Sequence, residues 1–222
     1  MAASEALTRA ALKVQQRLRS AWPLMPRRAS ELHAEIYRCL VQASGAGVLK
    51  DGFYDIGRKL KLTPDTRIPD RFLLTGGLVD GTRFGRKDPF RRDDDASVDF
   101  SIALRQGPEA VELLAYDFLI DLPPGLGPPF LRFDLNMPEH DNEDRGLRSH
   151  VHPGVDEDQM IMPAPVMSPV EILTIFLHHL RRADRERAVR RAFRWDPDAP
   201  SAVGDLGRIA FRLMSWVRLN GA

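Results

Sequence analysis

The sequence predicts an α+β fold: an antiparallel β-meander preceded by an N-terminal helical hairpin, with C-terminal helices packed on it. Three observations carry this. Val98, Phe100, Ile102 and Leu104 alternate with Asp99, Ser101, Ala103 and Arg105, and Leu114, Tyr116, Phe118, Ile120 and Leu122 alternate in the same way after a Gly107-Pro108 turn. Period two marks a strand with one buried face. Apolar residues recur at helical spacing near both ends of the chain, and Ser168-Pro169-Val170-Glu171 combines a capping serine, a proline at the first helical position and a glutamate at the third.

In chain order, Leu7, Ala11, Val14 and Leu18 predict a first helix with Ser4 as its cap, broken by Pro23 and Pro26. Ser30 is the expected cap of a second helix carrying Leu32, Ile36 and Leu40 and ending near Gly45 and Gly47. Residues 48–70 fit neither period, so no element is assigned there. Phe72 to Val79 predicts a strand interrupted by Gly76 and Gly77, with Asp80-Gly81 as a hairpin turn and Thr82 to Asp95 as a charged loop. After the Pro/Gly-rich stretch 123–129 a third meander strand runs from Phe130 to Asn136. The capped helix buries Ile172, Leu173, Ile175, Phe176 and Leu180, and a last helix carries Val203, Leu206, Ile209, Leu213 and Trp216. The expected organisation is a hairpin over 1–47, a core domain over 48–182 and a helical appendage over 183–222.

Composition narrows the class. With 222 residues, 43% hydrophobic and 28% charged, the chain suits one globular core and is unlike disordered or fibrous sequences. No run of about 18 apolar residues and no signal-peptide pattern occurs, so a cytoplasmic protein without a membrane span is expected. Cys39 is the single cysteine, which excludes an internal disulfide and suggests a core residue in a reducing compartment. The net charge of +1 supplies no long-range field for nucleic acid. Seven arginines between Arg181 and Arg194, opposed only by Asp184 and Glu186, are ordinarily a solvated face.

The candidate chemistry lies between Arg132 and His152. In the third strand Leu131, Phe133 and Leu135 point one way, so Arg132, Asp134 and Asn136 share the other face. Alone, such a face is ordinarily solvated and paired across strands. Three of the six histidines, His140, His150 and His152, follow within thirteen residues, and imidazole exchanges protons near neutrality. In an extended segment His150 and His152 lie on one side, roughly 7 Å apart. That spacing suits a base and an acid flanking a phosphate, or two ligands of a metal. Arg145 and Arg148 add anion-binding donors, and Pro153-Gly154 forces a turn. His150-Val151-His152 with Glu157 imitates a cupin metal motif but lacks the second histidine motif. His178 and His179 are adjacent on a helix and point apart. Gly76-Gly77 lacks the context of a nucleotide-binding loop.

The run Tyr116-Asp117-Phe118, then Leu131-Arg132-Phe133-Asp134-Leu135-Asn136-Met137-Pro138-Glu139-His140, then Ser149-His150-Val151-His152, then Val170-Glu171-Ile172-Leu173 resembles the TumE-like toxins of bacterial toxin–antitoxin pairs. The likeness covers about residues 98–180. Leu135 separates Asp134 from Asn136, and Glu139 stands before His140 where the family has paired histidines. The resemblance implies a ribonuclease-like toxin acting on RNA, with a cognate antitoxin or other protein partner.

The expectation is thus a metal-independent endoribonuclease needing no cofactor. His150, His152, Arg132 and Asp134 are the catalytic residues, and Asn136, His140, Arg145 and Arg148 bind substrate. One imidazole takes the ribose 2′-OH proton, the other protonates the leaving 5′ oxygen, Asp134 orients a histidine, and Arg132 with Arg148 stabilises the phosphorane. Two alternatives stand beside it. One is a metal-dependent hydrolase liganded by His140, His150, His152 and Asp134 or Asp156. The other is a non-catalytic nucleic-acid-binding or assembly subunit of a multi-protein bacterial defence complex.

Overall fold

The computed structural model describes residues 23–79, 87–138, 148–154 and 161–180. The helices expected around Leu7 to Leu18 and Val203 to Trp216, the arginine-rich stretch 181–194 and the Asp80-Gly81 turn lie outside the described residues. The architecture is α+β. Among the described residues eight strands form one sheet in which every pairing is antiparallel, in the order β1-β2-β4-β5-β6-β7-β8, with β3 paired to β4. The strands are β1 (Leu60–Pro64), β2 (Arg71–Gly76), β3 (Phe90–Arg91), β4 (Ser97–Gln106), β5 (Val111–Asp121), β6 (Phe130–Leu135), β7 (Ser149–Pro153) and β8 (Met162–Pro163). The helices are α1 (Ala29–Gly45), α2 (Phe53–Lys59) and α3 (Pro169–Thr174), the last continuing into a π-helical turn at Ile175–His179.

The meander forms as its alternation requires. Val98, Phe100, Ile102 and Leu104 of β4 are buried against Tyr116, Phe118 and Ile120 of β5, with Phe100 stacked on Phe118 at 4.8 Å between ring centroids. A register shift at Ala103/Leu104 pairs Leu104 with Leu113, so both Leu113 and Leu114 are buried. Phe133 and Leu135 of β6 and Val151 of β7 extend the same apolar face. Leu32, Ile36, Leu40 and Ala43 of α1 and Ile172, Leu173, Phe176 and Leu177 at the C-terminal end pack into one core with it.

Three features depart from expectation. The second helix begins at Ala29, so Ser30 lies within it, and its first turn is closed instead by Glu31, whose carboxylate accepts from the backbone N–H groups of Arg27 and Arg28 (3.0 and 3.3 Å). The unassigned stretch 48–70 holds α2 and β1. The end of α2 is fixed by buried Lys59, whose ammonium meets Asp51 at 2.6 Å and Asp88 at 2.9 Å. The extended segment carrying His150 and His152, to which no strand was assigned, is β7: it pairs with β6, and Pro153-Gly154 closes it. The Ser168 cap is found as expected. Its hydroxyl accepts from the Glu171 N–H (3.2 Å), and the Glu171 carboxylate accepts from the Ser168 N–H (2.6 Å). No helix among the described residues is long and apolar enough to cross a membrane.

Candidate functional site

Antiparallel register places Asp134 opposite His150 and Arg132 opposite His152. Cross-strand partners project from the same face. Since Phe133, Leu135 and Val151 face the helices, Arg132, Asp134, His150 and His152 are brought together on the reverse face. Asp134 Oδ2 is the centre of the group: Arg132 Nε lies at 2.9 Å, His152 Nε2 at 3.2 Å and His150 Nε2 at 3.4 Å. Arg132 Nη2 also lies 3.0 Å from His152 Nε2, and the two imidazoles meet edge to face at 4.9 Å between centroids.

Donor counting assigns the ring hydrogens. A guanidinium nitrogen only donates, so His152 Nε2 accepts from Arg132, and the neutral ring carries its hydrogen on Nδ1. The His150 Nε2–H then donates to Asp134 Oδ2. This leaves His150 Nδ1 as a bare acceptor, and it is buried with no hydrogen-bond partner, as is Asp134 Oδ1. Burial of Asp134 disfavours its charge, but the His150 hydrogen bond and the Arg132 charge outweigh it, holding the carboxyl below its ordinary range. The site therefore contains an ionised carboxylate, a fixed cation and two buried imidazoles in different tautomers.

This face is not the solvated one that isolated strand chemistry would give. His150, His152 and Asp134 retain only 2%, 5% and 7% of their surface. Electrostatic interactions among them are correspondingly little screened.

Of the expected substrate-binding residues, Arg148 donates to the carbonyls of Asn136 (3.0 Å) and Leu114 (2.9 Å), and the Asn136 N–H donates to the Arg148 carbonyl (2.8 Å). These bonds fasten the entry of β7 to β5 and the end of β6. They give Arg148 a clamping role that its position in sequence does not reveal. Asn136 lies one residue beyond β6. His140, Arg145, Asp156 and Glu157 lie outside the described residues. Sequence reasoning overlooked Asp117, the cross-strand partner of Asp134 on the same face. Its signal was available in the polar phase of the β5 alternation, Ala115-x-Asp117-x-Leu119.

No protein-family model matches the chain, and no curated protein or solved structure does so either.

Proposed function

We propose that the chain is an endoribonuclease of toxin type, with Arg132, Asp134, His150 and His152 as its catalytic group. The observation that carries this is the shared contact of two imidazoles and a guanidinium with the single oxygen Asp134 Oδ2, all within 3.4 Å. Asp134 orients His150 through Nε2–H, and the unpartnered Nδ1 is the base for a ribose 2′-OH. His152 protonates the leaving 5′ oxygen as an imidazolium: a proton taken up at Nε2 turns that atom from the Arg132 N–H to Asp134 Oδ2 at 3.2 Å, and Nδ1–H is then given to the leaving group, which returns the ring to its neutral form. Arg132 offsets the charge that develops on the phosphorane. The TumE-like motif order supports the same reading and adds a protein antitoxin as partner.

The test is cleavage of a single-stranded RNA and the DNA of the same sequence by the purified chain, with no added metal. RNA is expected to be cut and DNA, lacking the 2′-OH, to survive. His150→Gln should lower the rate by about 10² or more. Equal cleavage of both polymers, or an undiminished rate in a His150→Gln, His152→Gln double variant, sinks the reading.

The deep burial of both imidazoles favours one other reading, in which the cluster is a polar tie between β6 and β7 in a non-catalytic assembly subunit. In that case the double variant loses thermal stability while the wild-type chain cuts neither polymer.

A further inference from the structure

The same four side chains have a geometry that the acid–base mechanism does not require. A tetrahedral ion with bonds of about 2.0–2.2 Å holds neighbouring ligand atoms about 3.3–3.5 Å apart. Asp134 Oδ2 lies 3.4 Å from His150 Nε2 and 3.2 Å from His152 Nε2, and the three residues can each offer a ligand atom within 4.8 Å of the others. Two imidazole nitrogens and one carboxylate oxygen are a donor set suited to zinc and its late first-row neighbours. All three residues are buried on adjacent strands, so their positions are fixed before an ion arrives.

We infer that Asp134, His150 and His152 form a binding site for a divalent zinc-type ion, which competes with the Arg132 guanidinium for the same atoms. Arg132 bonds to two of the three ligand residues, at Asp134 Oδ2 and His152 Nε2. It is the least buried member of the group, with 24% of its side chain exposed, and so is the one able to leave. His152 Nε2 already presents its lone pair. His150 must move its hydrogen from Nε2 to Nδ1, which is the atom without a partner. Binding therefore requires no net loss of a proton from either neutral ring. Asp134 Oδ1, also unpartnered, is available for a second contact with the ion.

The consequence for activity rests on the ribonuclease reading. An ion held by both Nε2 atoms with His150 Nδ1 protonated removes the proposed base and displaces the cation that stabilises the phosphorane. Zinc is then an inhibitor, reversed by a chelator.

Zinc binding by the purified chain, followed with a competing chromophoric chelator and by metal analysis, tests the site whether or not RNA is cut. One equivalent is expected. Arg132→Gln should bind at least about tenfold more tightly, because a fixed cation a few ångströms from the ion no longer repels it. His150→Gln and His152→Gln, checked for folding by circular dichroism, should each lose the bound equivalent. Absence of binding in both the wild type and Arg132→Gln overturns the site, as does unchanged binding in folded His150→Gln. Weaker binding in Arg132→Gln overturns the competition. RNA cleavage stimulated by zinc overturns its inhibitory role, whereas zinc binding without any RNA cleavage retains the site and removes only the ribonuclease reading.

Discussion

At the level of single residues, Asp134 carries the greatest burden, since one oxygen accepts from Arg132 and His150 and lies against His152 as well. Replacing it with Asn exchanges an acceptor-only carboxylate for an amide and leaves the Arg132 cation facing two imidazoles. We expect Asp134→Asn to destabilise the fold by about 1–3 kcal/mol in denaturant titration, the range for a buried charged partner removed. No change would mean that Arg132 finds solvent at no cost. The sharing of one face by Arg132 and Asp134 was legible from the apolar phase of Phe133 and Leu135. The cross-strand register with His150 and His152 was not, although a histidine oriented by Asp134 was expected. In β7 every residue from Ser149 to His152 is buried, so no apolar/polar alternation announces a strand or fixes its register. The clamping bonds of Arg148 were not legible for a related reason: its donors meet backbone carbonyls, and such bonds leave no trace in side-chain composition.

At the level of elements, local signals with complete chemistry were read correctly and partial ones were not. Ser168, Pro169 and Glu171 supply three concurring features of a helix start, and the helix begins after Ser168. Ser30 supplied only one, and Glu31 closes the first turn from within the helix instead. Ser168→Ala should cost about 1 kcal/mol of stability through the lost Glu171 N–H acceptor, measurable by chemical denaturation. At the other end of the site, Gly154 has φ +43°, and a Cβ there would meet the Phe130 carbonyl oxygen at 2.7 Å and Pro128 at 2.8 Å. Gly154→Ala should therefore lower the melting temperature and loosen the β6–β7 ladder that aligns His152 with Arg132, giving faster amide exchange at Val151 than in the parent. Melting and exchange equal to the parent would mean that the Pro128–Pro129 turn can yield. The α2–β1 stretch escaped sequence analysis because its anchor is the ion pair of Lys59 with Asp51 and Asp88, a tertiary feature without periodicity.

At the level of the whole molecule, the reverse face of the sheet carries ionisable groups whose environments oppose one another, and this shapes stability against pH. Asp99 on β4 is raised to about 6, first by burial and then by the Asp117 and Asp121 charges, against the lowering effect of Lys87 at 3.3 Å. Its folded form prefers the proton. The stability this group contributes is full below its unfolded value of about 4 and is lost as pH rises through 6. Asp134 and Asp88 have the opposite sign: both are lowered, so their contribution is present above about 4 and is lost as pH falls further. The two trends together predict greatest stability near pH 4, with a loss on the acid side and a decline from about pH 4 to 6 on the other. Asn at position 99 cannot ionise, so Asp99→Asn should remove the decline between about pH 4 and 6, worth roughly 1–3 kcal/mol, and leave the acid limb in place. Urea titrations of the parent and Asp99→Asn across pH 3 to 8 decide the matter. Parallel curves would show that the Lys87 pair keeps Asp99 ionised throughout, and that the decline, if present, arises elsewhere on the sheet.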